Sequence, residues 1–126
     1  MIVGDRVNGI EAKLNKRSGF EGLSISIKVN DVKEDGDRLV FDYTYRVDYT
    51  KDVGYIQING EMFAQEDEEL TKKILDGWKK NNRIIDEYDE RLLNAINYAA
   101  SAHSVIVARV LSFAPPIIPP RFRKSK

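Results

Sequence analysis

Between Leu23 and Gln65 the chain alternates apolar and polar residues in three successive runs, and this periodicity constrains the fold more than any other feature. Leu23, Ile25, Ile27 and Val29 alternate with Ser24, Ser26, Lys28 and Asn30. Leu39, Phe41, Tyr43, Tyr45, Val47 and Tyr49 follow, separated by mostly polar residues. Ile56, Ile58, Gly60, Met62 and Ala64 then share one phase, with Tyr55, Gln57, Asn59, Glu61 and Phe63 on the other. Successive side chains of a strand point to opposite faces, so strict alternation describes strands with one wet and one buried face. Glu34-Asp35-Gly36-Asp37 and Thr50-Lys51-Asp52 read as the turns between the runs. The spacing predicts strands over about 23–32, 38–50 and 54–65, antiparallel and covered on one side.

An earlier strand, over about 2–14, is less regular. Val3 and Val7 lie on one phase and Ile10, Ala12 and Leu14 on the other, with Gly9 at the switch. A glycine at a phase change inside a strand predicts a bulge or a sharp bend.

After the strands the period lengthens to that of a helix. Asp67 suits an N-cap, Glu68 and Glu69 suit the positive end of a helix dipole, and Leu70, Ile74, Leu75 and Trp78 supply an apolar stripe. This predicts a helix over about 67–80, ended by Asn81-Asn82. A longer one over about 86–113 carries apolar residues at Leu92, Leu93, Ile96, Ala99, Ala100, Ile106, Val107, Val110 and Leu111, with His103 on the same face. The three-and-four spacing predicts that this face is buried. Ala95, Ala102, Val105 and Ala108 form surplus apolar surface outside it. A helix apolar on two sides needs two surfaces to cover it. The sheet is one, and a second copy of the chain is the expected other, so these four residues are the expected oligomer interface. Pro115 and Pro116 stop the helix and open a proline-rich strap over about 114–122.

Four strands followed by two helices is an α+β arrangement, with both helices on one face of an antiparallel sheet. At 126 residues the expectation is a single domain over 1–126 with a self-sufficient core. No run approaches the roughly 18 apolar residues of a membrane span, and the start does not read as a signal peptide, so a soluble, cytoplasmic chain is expected. Twenty basic residues balance twenty acidic ones, which argues against nucleic acid as the main partner. The balance is local in places: residues 61–90 hold ten carboxylates, whereas Arg121 to Lys126 hold four basic groups and no acid.

Little in the chain suits catalysis. There is no cysteine and one histidine. His103 sits on the apolar stripe, where a histidine satisfied by a backbone carbonyl is expected. Neighbouring Ser104 cannot face it on a helix, so the two do not make a nucleophile and base. Asp31 to Asp42 has some of the look of a calcium loop. Lys33 stands where a ligand is needed, however, and Asp42 where a bidentate Glu is usual, so a hairpin is the reading. Gly19 and Gly22 lack the lysine and helix of a phosphate loop. No metal, cofactor or enzymatic activity is expected.

The aromatic stripe Phe41, Tyr43, Tyr45 and Tyr49 has two readings: sheet core, or partly the floor of a groove for an apolar ligand. Trp78 either packs helix on sheet or closes one end of that groove. Pro116-Ile117-Ile118-Pro119-Pro120-Arg121 formally fits a ligand for SH3-type domains, but a stiff strap laying Ile117 and Ile118 on the domain's own surface or along a groove is the stronger reading.

With Tyr98-Ala99 opening the main part of the long helix, Phe113 about four turns on, Pro115 to Pro120 with Phe122 beyond, and Phe63 ending the last strand, the chain resembles the SecB-type export chaperones. It resembles a divergent, archaeal-type branch more than the bacterial proteins. The resemblance implies a non-catalytic holdase that keeps unfolded polypeptides in apolar surface grooves. It also implies dimers formed through the sheet edge and tetramers through the long helices. Phe41, Tyr43, Tyr45, Phe63, Trp78, Ile117 and Ile118 are the expected polypeptide-binding residues. The bacterial proteins usually end in an acidic tail, and the basic tail here speaks against the same docking to an export motor. An alternative is a structural or adaptor subunit of this fold with one specific protein partner.

Overall fold

The computed structural model describes residues 1–16 and 22–111. Four strands, β1 (Ile2–Leu14), β2 (Leu23–Asp35), β3 (Arg38–Tyr49) and β4 (Gly54–Ala64), are followed by helices α1 (Glu68–Asn81) and α2 (Asp86–Leu111). This is the α+β layout expected from the periodicity, with both helices on one face of an antiparallel sheet. Phe113 and the proline strap, including Ile117 and Ile118, lie outside the described residues.

The strand order is β1-β4-β3-β2. β2, β3 and β4 are joined as hairpins, while β1 lies at the far edge beside β4, so the order is that of a Greek key whose long connection comes first. The span between its ends is set by one row of pairs: Leu14 with Gly54, Gly54 with Tyr49 and Tyr49 with Leu23. The end of β1 and the start of β2 therefore lie in one row, about 14 Å apart across three strand spacings. Backbone bonds secure this end of the sheet: Asn15 N–H donates to Val53 O at 2.8 Å and Thr50 N–H to Gly22 O at 3.0 Å.

The expected irregularity at Gly9 is a bulge: Val7 pairs with Gly60 and Gly9 with Asn59, leaving Asn8 as the extra residue. The extra residue reverses the phase, which brings Val7, Ile10, Ala12 and Leu14 to the same face. Further register shifts lie between Ile2 and Gly4 in β1 and between Val29 and Asp31 in β2, and the latter puts Val29 and Val32 on one face although they are three residues apart. The hairpin turn between β2 and β3 uses Gly36 at φ 65°, a left-handed backbone that glycine adopts without steric cost. Lys51 and Asp52 take similar values, φ 60° and 56°, in the short 3-10 turn before β4.

Asp67 caps α1 as expected, its carboxylate accepting from Leu70 N–H at 2.8 Å. Asn82 closes the helix in the left-handed conformation at φ 57°, its N–H donating to Trp78 O. Gly77 lets the chain return: a Cβ there would stand 2.7 Å from the Ile85 side chain. The core lies between the sheet and the two helices, where Phe41, Tyr43, Tyr45, Val47, Ile56, Ile58, Met62, Ile74, Tyr88, Leu92 and Ile96 are fully enclosed. Among the described residues no helix is long and apolar enough to cross a membrane.

Candidate functional site

The sheet-facing side of α2 is one unbroken i, i+4 stripe: Tyr88, Leu92, Ile96, Ala100, Ser104 and Ala108, all fully buried. Large residues occupy its first half and small ones its second. Tyr88 stacks on Phe41 with ring centroids 5.9 Å apart and donates to a Glu66 carboxylate oxygen at 2.6 Å. Ala100, Ser104 and Ala108 leave room for phenol rings rising from the sheet, and Ser104 lies beside Tyr45.

This arrangement corrects the expected face of α2. Ile106 and Val110, assigned to the buried face by periodicity, are 65% and 79% exposed, while Ala108, assigned to the surplus surface, is fully buried. The second half of the helix is apolar almost all round, so hydrophobicity did not select a face. The bulk of the tyrosines did, because only small side chains fit above them. The surplus apolar surface exists, but it consists of Tyr98 at 84% exposure, Ala102, Ile106 and Val110, in one outward stripe. Ala95 and Val105 are half-buried on its flanks. Two further exposed apolar residues, Val3 and Ile10, lie on the edge strand β1.

Among the described residues three side-chain polar atoms are buried without a hydrogen-bond partner: the hydroxyls of Tyr43 and Tyr45 beneath α2, and Oδ1 of Asn97 on α2 itself. Leaving a buried polar group unsatisfied costs about 1–3 kcal/mol. Tyr43 stands directly opposite Gly60, where a Cβ would come within 2.7 Å of both the Tyr43 hydroxyl and Arg6 O. Burial, with the charge of Asp5 adding to it, pushes the Tyr43 hydroxyl up to about 12. Burial also raises the Tyr45 hydroxyl, and Ser104, beside it without completing a hydrogen bond, acts in the opposite sense. Tyr49 is pushed up to about 12, again by burial first and by Tyr45 second. All of these phenols are therefore neutral donors at physiological pH.

Of the seven expected polypeptide-binding residues, the five that are described do not share one exposed surface. Phe41, Tyr43 and Tyr45 are enclosed in the core and present no surface in this arrangement. Trp78 is half-buried on α1 against that core. Phe63 is on the opposite face of the sheet, because β4 alternates and Phe63 is out of phase with Ile58 and Met62. There Arg38 lies over its ring at 4.3 Å and Arg6 at 5.8 Å. Ile117 and Ile118 fall outside the described residues. His103 also departs from expectation: it is partly exposed and faces Asp5 of β1, with Nε2 3.6 Å from the carboxylate.

The open face of the sheet is a self-neutralised polar layer. Asp31, Asp42, Glu61 and Arg6 stand side by side across the four strands. Arg6 bonds Glu61 at 2.5 Å and Asn8 bonds the same oxygen at 3.2 Å, so the Glu61 carboxyl lies below its ordinary value despite partial burial. Asp42 is raised, by burial first and by the neighbouring Glu61 and Asp31, with Lys33 opposing. Asn30, Thr44 and Asn59 form a hydrogen-bonded line across the middle, with both links at 2.8 Å. An open cleft between the β2–β3 hairpin and α1 is lined by Glu34, Asp37, Glu66, Glu68, Lys72 and Asp76, a predominantly acidic wall. Glu66 in it is engaged by Tyr88 and the amino terminus. Among the described residues no group of three or more His, Asp or Glu side chains is placed to hold a metal ion.

No protein-family model matches the chain, and no curated protein matches it in sequence. Among solved structures it is similar to a SecB-like chaperone of Mycobacterium tuberculosis in complex with a ChAD peptide from the HigA1 antitoxin. The TM-score is 0.59 at 14% identity, over 95% of this chain and 89% of that one. The order of strands, the placement of both helices on one face and this likeness agree on the architecture: the chain has the SecB-like α+β fold.

Proposed function

We propose that the protein is a holdase-type chaperone that binds non-native polypeptide without catalysis and assembles as a homodimer or homotetramer. The observation that carries this reading is the outward stripe Tyr98, Ala102, Ile106 and Val110 on α2, contiguous apolar surface that a monomer leaves in water. The fold supports it, since a chaperone of the same architecture is known with a peptide bound. Each Leu-sized side chain that a partner covers contributes about 1.5–3 kcal/mol, and several are needed to offset the ordering of a flexible client. Val3 and Ile10 are also exposed on the edge strand β1, and that edge is where a second copy would be received. An adaptor dedicated to one protein is the second reading, favoured by the single antitoxin peptide held in the similar structure.

The test is suppression of aggregation of two unrelated denatured proteins by a several-fold excess of this chain, with its mass measured by light scattering. Suppression of both, by a dimer or tetramer, is expected. Ile106→Asp is expected to lower the mass, because a carboxylate buried in an interface without a partner is costly. A monomer, or a chain that protects neither protein, would overturn the reading.

A further inference from the structure

The two halves of α2 are held to the sheet in different ways. The first half is anchored by large buried side chains, Tyr88, Leu92 and Ile96, and by the hydrogen bond from Tyr88 to Glu66. The second half is fully buried only at the small Ala100, Ser104 and Ala108, with Ala99, Val107 and Leu111 partly buried against the core, and its polar tie to β1 is the partly exposed His103–Asp5 pair at 3.6 Å. Under and beside this weaker half are the unpartnered hydroxyls of Tyr43 and Tyr45, and Asn97 Oδ1 just before it on the helix. A closed core gains nothing from these three groups. We propose that the layer beneath the second half of α2, from Ala100 to Leu111, is a closed binding site for the main chain of an extended polypeptide, reached when that half of the helix lifts from the sheet. The proposal rests on the polypeptide-binding reading above and names the groups that would do the binding.

The geometry suits that ligand. Tyr43 and Tyr45 are two residues apart on β3 and project to the same face, so their rings recur at about 6.8 Å along the strand. The carbonyls on one side of an extended polypeptide recur at the same interval, so two hydroxyls can donate to two carbonyls of a chain running along β3. Asn97 Oδ1 is an acceptor for a main-chain N–H. Main-chain groups are common to every polypeptide, so such a site is indifferent to client sequence. The apolar rings, with Gly60 opposite Tyr43 leaving the surface low, would supply the remaining contact. Chain entry would also satisfy the polar groups that the closed state leaves without partners, which offsets part of the cost of lifting the helix.

The full chain and a Tyr43→Phe/Tyr45→Phe double variant test this, with a reduced, carboxymethylated protein as the unfolded probe. The variant removes two oxygens and keeps both rings. Its melting temperature is expected to equal or exceed that of the wild type, and its affinity for the probe to fall about tenfold, as two lost hydrogen bonds would give. Hydrogen exchange of the free wild-type chain is expected to show amides 100–111 opening while 88–96 stay protected, and the probe to increase that opening. A lower melting temperature would mean that the hydroxyls hold the fold together and would overturn the proposal, as would unchanged affinity or exchange of 88–111 as one unit. If the wild type does not bind the probe at all, the proposed function fails and the ligand with it. Binding that persists in the double variant rejects the site alone.

Discussion

At the scale of single residues, Gly60 and Tyr43 show how a strand position is chosen by its neighbour. Gly60 is in phase with the buried Ile58 and Met62, where periodicity alone would favour a larger apolar side chain. The Tyr43 phenol lies across it, and Arg6 O blocks the other side at the same 2.7 Å. A side chain can swing away from a new methyl group, but a backbone carbonyl tied into the β1–β4 ladder moves only with its strand. Gly60→Ala is therefore expected to destabilise the protein by about 2–3 kcal/mol, read from urea denaturation. A loss below about 0.5 kcal/mol would show that the sheet yields at this point.

At the scale of elements, α2 is the instructive case. Its sheet-facing stripe graduates from Tyr88, Leu92 and Ile96 to Ala100, Ser104 and Ala108, opposite a strand rich in tyrosine. Small residues can occupy a core stripe when the facing element supplies the volume. Periodicity ranks residues by hydrophobicity and cannot see that volume, so Ile106 and Val110 were expected inside and lie outside. Two substitutions separate the alternatives. Ala108→Leu inserts three carbons into a filled space and is expected to cost about 1–3 kcal/mol. Ala102→Leu, on the outward stripe, overlaps nothing within the chain and is expected to change the stability of the dissociated chain by less than about 0.5 kcal/mol. Thermal or urea unfolding of both variants reads the difference, and equal effects would contradict the observed rotation of the helix.

At the scale of the whole molecule, the charged face of the sheet makes stability depend on pH in two opposite senses. Glu61 is held below its ordinary range by Arg6, so it contributes stability above that range that is lost as pH falls through its lowered pKa. Asp42 is raised by burial and by its acidic neighbours. The stabilising share of Asp42 is complete below its unfolded value and is lost as pH rises through the raised one. Glu61→Gln is accordingly expected to destabilise at pH 7, and Asp42→Asn to stabilise there. The Asp42→Asn difference should shrink toward zero near pH 3, where the wild-type carboxyl is protonated as well, whereas the Glu61→Gln difference persists to lower pH because Arg6 holds that carboxyl below its ordinary value. Denaturant midpoints at the two pH values check the signs, and effects of the same sign at pH 7 would refute the account.

What the sequence by itself determined is the local structure. Alternation defined three strands and their buried face, Gly9 marked the bulge in the first, Asp67 and Asn82 bounded α1, and the change of period located both helices. These are properties of neighbouring residues, and a pleated strand or a helical turn needs nothing else to express them. The tertiary structure decided which strand β1 joins, which side of α2 faces inward, and where each aromatic residue lies. Phe63 and Tyr45 are equally aromatic, yet one lies under two arginines on the open face and the other is enclosed beneath a helix. The row linking Leu14 to Leu23 across Gly54 and Tyr49 makes the edge position of β1 accessible. The volume of the tyrosines turns the small residues of α2 inward. Both depend on groups distant in the chain competing for the same space, and no pattern of spacing along the sequence records that competition.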